Sequence, residues 1–149
     1  MKLETMVLGP LETNCYLLWD EQTMEAAVID PGASGQKIAD RLAQNGLMLR
    51  MILLTHAHFD HILAVHDVLE ATRAQFVCPE ADTWLLSRDN MGQFRSLARS
   101  YVQDTPDILA GEGTVLTGAW EFLFPEGDPA LAARVEEYGL KEMWKSPNG

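Results

Sequence analysis

The chain has 149 residues, 47% of them hydrophobic and 22% charged. That suffices for one domain with its own core, and the composition excludes a collagen-like, low-complexity or disordered chain. Asp plus Glu is 22 against 11 Lys plus Arg, a net charge of −11, which excludes nucleic acid or an anionic membrane as a partner held by bulk charge. No apolar run reaches the roughly 18 residues of a membrane span, and the start, Met1-Lys2-Leu3-Glu4, lacks a signal-peptide pattern. The expectation is a cytoplasmic protein whose Cys15 and Cys78 are free, buried thiols.

Three strands open the chain. Lys2–Val7 stops at Gly9-Pro10, Thr13–Trp19 stops at Asp20-Glu21-Gln22, and Ala26–Ile29 stops at Asp30-Pro31-Gly32. Short turns between them predict an antiparallel meander. A helix follows from Ser34 or Gly35 to Asn45-Gly46, with Ile38 and Leu42 on its apolar face and Gly46 as its stop. Leu47–Leu54 is apolar except for Arg50, the pattern of a central strand covered on two faces. Beyond the sequence Thr55–His61 a helix is predicted to about Thr72, with Ile62, Val65 and Leu69 on one face. Gln75–Cys78 reads as a strand, Ala81–Leu86 as a helical turn or two, and Ser96–Tyr101 as a short helix. Further on, Thr114–Leu116 and Trp120–Phe124 flank Gly118 as a hairpin, and Pro129–Tyr138 reads as a helix capped by Asp128. The alternation of strands and helices points to an α/β fold with a mixed sheet.

The four histidines lie at 56, 58, 61 and 66, and none follows. His56-x-His58-x-Asp60-His61 places four side chains of ligand type in six residues at the end of the buried strand. Residues two apart on extended chain point the same way, so His56 and His58 converge on one ion. Asp60 and His61 follow the turn into the helix and reach a neighbouring one. Imidazole and carboxylate suit Zn²⁺, Mn²⁺ or Fe²⁺. Two such ions about 3.5–4 Å apart polarise a carbonyl and supply a nucleophile at neutral pH. Asp60 has a plainer alternative as the cap of the following helix. His66, five residues past His61, does not share that face and reads as a partly exposed helix histidine.

The sequence Thr55-His-Ala-His-Phe-Asp-His61 resembles the metal-binding motif of the metallo-β-lactamase superfamily. Gly9-Pro10-Leu-Glu-Thr13-Asn14-Cys15-Tyr16 and Val28-Ile29-Asp30-Pro31-Gly32 resemble its glyoxalase II-like (hydroxyacylglutathione hydrolase-like) branch in particular, as does the stretch from Pro106-Asp107 to Gly118. The resemblance covers residues 2 to 124. It implies an αββα sandwich and one or two metal ions, usually zinc. It also implies hydrolysis of a small-molecule thioester or ester by a metal-bound hydroxide. His56 and His58 then bind the first ion, and Asp60 and His61 the second. Asp60 also acts as the catalytic residue that orients the hydroxide or takes a proton. Asp30 is either a support beneath the metals or a turn carboxylate before Pro31.

The resemblance ends near Phe124. The family completes its site with a Thr-Pro-Gly-His segment, a bridging aspartate and a last histidine. This sequence has Phe124-Pro125-Glu126-Gly127-Asp128 where the first of these belongs. The expected layout is a partial, C-terminally shortened metallo-β-lactamase-like domain over 1–124 and a divergent tail over 125–149. Each ion then has two ligands against the three usual for catalytic zinc, so an inactive metal-binding or association module is the alternative to a hydrolase. Half a sandwich also leaves a sheet face in need of cover. Trp120, Phe122, Phe124 and Trp144 supply part of it, or a second copy of the chain does, as a homodimer.

Overall fold

The structure is a computed structural model. It describes residues 2–111 and, beyond them, only the backbone of strands 115–117, 121–123 and 144–145.

The main sheet has six strands in the order β1-β2-β3-β4-β5-β6. β1 (Lys2–Leu8), β2 (Thr13–Trp19) and β3 (Glu25–Ile29) form the expected antiparallel meander. From β3 onward the pairing is parallel, through β4 (Met48–Leu53), β5 (Gln75–Pro79) and β6 (Ile108–Ala110). Parallel neighbours need crossovers. Helix α1 (Gly35–Gln44) joins β3 to β4, and α2 (Val65–Thr72) joins β4 to β5. α1 turns Ile38 and Leu42 inward and ends as expected at Gly46, whose φ of +64° suits a residue without a Cβ.

One sheet face packs its residues Leu17, Ala26, Val28, Leu49, Ile52, Phe76 and Cys78 against Ile38, Leu42, Val65 and Val68 of the two helices. Alternate strand residues Leu18, Ala27, Ile29, Met51, Leu53 and Val77 face the other way and are also buried, none above 4% exposed. The expected cover by Trp120, Phe122, Phe124 and Trp144 falls on side chains outside the described residues. The exposed strand residues include Met48 and Arg50 at the start of β4 and Leu3, Thr5 and Val7 along the edge strand β1.

The short elements depart further from the sequence expectations. The helix after His61 does not start there. A 3-10 turn, Phe59–His61, comes first, and α2 begins only at Val65. The intervening Ala64 N–H donates to the Pro31 carbonyl at 3.0 Å, outside any helix. The helical reading over Ala81–Leu86 is a 3-10 stretch, Glu80–Leu86, and the one at Ser96–Tyr101 lies earlier, at Gly92–Ala98. β6 was not expected at all: with three residues it carries no periodic pattern. The hairpin is present as β7 (Val115–Thr117) and β8 (Glu121–Leu123), which pair antiparallel in a second sheet with β9 (Trp144–Lys145). The expected helix at 129–138 and its cap Asp128 lie outside the described residues. Among the described residues no helix is long and apolar enough to cross a membrane.

Candidate metal centre

Thr55 and His56 leave the C-terminal end of β4 beside the end of β3, where Asp30 turns the chain. Ends of parallel strands leave side chains that no longer pair in the sheet and face a common crevice, a usual place for sites in α/β folds. β2 runs antiparallel to β3, so its first residue, Thr13, arrives at the same edge.

Asp30 is the floor of the site. It is 2% exposed and takes a left-handed φ of 58°, which Asp tolerates better than most residues. The Thr55 N–H donates to its Oδ1 at 2.8 Å, and the Thr55 hydroxyl donates to its Oδ2. That hydroxyl has one proton, and an ionised carboxylate can only accept. The Thr55 oxygen is therefore left to accept from His56 Nδ1, 2.9 Å away. The chain of bonds Asp30–Thr55–His56 thus puts the His56 proton on Nδ1 and its lone pair on Nε2. Asp30 Oδ2 also lies 3.0 Å from His61 Nδ1, and the negative oxygen favours the proton on that nitrogen. His61 Nε2 faces Asp60 Oδ2 at 3.5 Å. One buried carboxylate biases the tautomer of two histidines, as outer partners of metal-ligating histidines do. Both readings of Asp30 hold: it is a turn residue and it supports the histidines.

His56, His58 and His61 crowd together. The His56 ring centroid is 4.6 Å from that of His58 and 4.0 Å from that of His61. Burial pushes the His56 pKa down, and the neighbouring His61 and His58 add to the shift against the pull of Asp30 and Asp60. An imidazole that resists protonation, as His56 does, keeps its lone pair for a cation. Asp30, His56 and His61 each bring a ligand-type atom within 4.8 Å of the others. Asp30 is engaged by Thr55 on both oxygens, so its place is behind the histidines. His58 and Asp60, expected as partners of His56 and His61, are not in that close group. The imidazole and carboxylate donors fit a divalent ion such as zinc.

Asp60 does not cap α2, whose N-cap is Ala64. Its Oδ2 accepts instead from the Thr13 hydroxyl at 2.8 Å. The turn that carries it is braced from behind. A Cβ at Gly32 would fall 1.9 Å from the Asp60 carbonyl oxygen, so only glycine lets the Asp30-Pro31-Gly32 turn lie there. Asp82 accepts from the Ala57 N–H at 3.0 Å and holds the segment between His56 and His58 extended. Thr13, Thr55, Gly32 and Asp82 were not singled out as site residues. Thr13 and Gly32 lie in the two quoted lead-in segments, which was the available signal; nothing local marks Asp82.

His66 stays apart. It is half-buried on α2, with Nδ1 at 3.1 Å from Asp104 and Nε2 at 3.8 Å from Glu70. Cys15 and Cys78 are free and buried, and burial raises both thiol pKa values, that of Cys78 to about 12.

The family model of the metallo-β-lactamase superfamily matches residues 8–133. The chain belongs to this superfamily. It is 33% identical over 133 residues to a Bacillus subtilis protein named "Probable metallo-hydrolase YqgX", covering 85% of this chain and 61% of that one. Over 62 residues it is 37% identical to the hydroxyacylglutathione hydrolase GloC of Haemophilus influenzae, 42% of this chain and 29% of that one. The crystal structure of BLEG-1, a B3 metallo-β-lactamase, superposes with a TM-score of 0.74 at 30% identity, covering 87% of this chain and 64% of that chain. In each case the chain spans less than two thirds of the relative's length.

Proposed function

We propose that the chain is a metal-dependent hydrolase of this superfamily that acts on a thioester or ester. The observation that carries the reading is the Asp30–Thr55–His56 chain of bonds, which presents an imidazole lone pair beside His58, Asp60 and His61. His56 and His58 hold one ion, and Asp60 and His61 hold another. A metal bound there would activate water as a nucleophile at neutral pH and polarise the substrate carbonyl. Asp60 orients the attacking water and takes its proton. Thr13 fixes the Asp60 rotamer, and Asp30 keeps His56 and His61 aimed. Zinc is the expected ion, with iron or manganese as the other ions this donor set takes.

A second reading is a metal-binding or association module without hydrolysis. It is favoured by the ligand count, since the motif gives two protein ligands per ion against three in most catalytic zinc sites. Metal analysis and turnover separate the two. Purified protein is expected to carry one to two equivalents of zinc per chain, lost in His56→Ala, and to hydrolyse a glutathione thioester with activity lost in Asp60→Ala. Bound metal without turnover selects the module. No metal, with His56→Ala indistinguishable from the unaltered chain, overturns the hydrolase and the metal-binding module and leaves association alone.

A further inference from the structure

Two cavities flank the ligand turn, and neither is accounted for by metal binding. The larger, about 290 Å³, has His58 and Asp60 on one side and Leu85, Asn90, Met91 and Phe94 on the other. The smaller, about 230 Å³, lies towards the β1–β2 turn and is lined by Pro10, Leu11, Leu63 and Leu97 with Thr13 and Asp60. Phe59 borders both. Its ring stacks on Phe94 at 4.3 Å and 14°, so the two rings form a wall beside the Asp60 carboxylate.

The linings are mostly carbon. Neither contains Lys or Arg among the described residues, so an anionic group has no counter-ion in either. The amide of the larger cavity, Asn90, already donates to the Trp84 carbonyl at 2.6 Å. Met91 is buried at the back while Phe94 is 36% exposed at the front, which leaves apolar surface for a ligand to cover. Among the described residues, the charged or imidazole groups that meet this apolar space are His58 and Asp60, the proposed reaction centre. A carbonyl placed at those two residues has its neighbouring substituent in the cavity.

Resting on the hydrolase reading, we propose that the substrate carries an apolar group, aliphatic or aryl, next to its scissile bond. The Leu85–Met91–Phe94 cavity takes this group and selects for it. The group sits on either the acyl or the leaving side of the carbonyl, which is one chemistry from two sources.

Non-hydrolysable amides test this on the full zinc-loaded chain with ¹³C-methyl methionine. N-methylhexanamide puts the chain on the acyl side, N-hexylacetamide puts it on the leaving side, and N-methylacetamide has neither. Each buried methylene is expected to tighten binding about fourfold. At least one long amide should therefore bind about tenfold or more tighter than N-methylacetamide and shift the Met91 methyl resonance; which one does so identifies the side. Met91→Trp, which fills the cavity, and Phe94→Ala, which removes its front wall at a partly exposed position, should both reduce that preference to less than about threefold. Equal binding of all three amides overturns the proposal, as does a preference that survives in both variants. Chain-length preference without turnover of any thioester refutes the hydrolase reading and leaves the cavity assigned. Turnover without chain-length preference does the reverse.

Discussion

The floor and the rim of the metal centre are built on opposite principles. The floor, Asp30 and Thr55, is buried at 2% and 5% exposure and ties its own polar groups together through two bonds within the protein. The rim, His58 and Asp60, is exposed or half-exposed, and Thr13 holds the Asp60 carboxylate from the side. The floor fixes which nitrogen of His56 is available and biases that of His61. The rim stays free to meet an ion, a water or a substrate, and the apolar cavities open onto it. A site divided this way uses burial to aim its proposed ligands and leaves the proposed reacting groups accessible.

The sharpest way to break the contrast is Asp30→Ala. It leaves the Thr55 N–H and hydroxyl without their buried acceptor and frees both histidine tautomers. The expected loss is about 3 kcal/mol in urea unfolding of the metal-free protein, with zinc affinity down about ten- to a hundredfold by competition titration. Gly32→Ala tests the joint between floor and rim. The added methyl meets the Asp60 backbone, so the ligand turn must move, at an expected cost of about 2 kcal/mol in the same unfolding measurement and a clear loss of zinc affinity. Thr13→Val touches the rim alone. It should cost about 1 kcal/mol or less and weaken zinc by less than about tenfold. If Thr13→Val proves as damaging as Asp30→Ala, the division into floor and rim is wrong.

Much of this was legible in the sequence, for reasons that differ by residue. The four ligand-type side chains at 56, 58, 60 and 61 depend on local spacing, and the meander and β4 depend on runs of apolar residues that any short window exposes. The bonds that aim the ligands are not local. Thr13 and Asp60 are 47 residues apart, and Asp30 and Thr55 are 25 apart. Such pairs are set by strand order and register, which no window contains. What lies over the second sheet face is not legible for a related reason: one sequence shows which residues are apolar but not what covers them. β6 escaped because three residues beside Pro106 and Gly111 are too few to show a period.

The 25 residues between Asp30 and Thr55 also set an order of events. β3 and β4 pair in parallel, so the bond between these two residues closes only after α1 has crossed over and the strands have met. Before that, His56 and His58 are two nearby imidazoles with no imposed proton position. A metal ion therefore binds the finished chain more tightly than the growing or unfolded one. By mass action each tenfold excess of free ion over its dissociation constant adds roughly 1.4 kcal/mol of stability to the native state. An ion held at the proposed site would act as a late lock on a fold that has already assembled, and chelation should then lower the melting temperature before it changes the sheet.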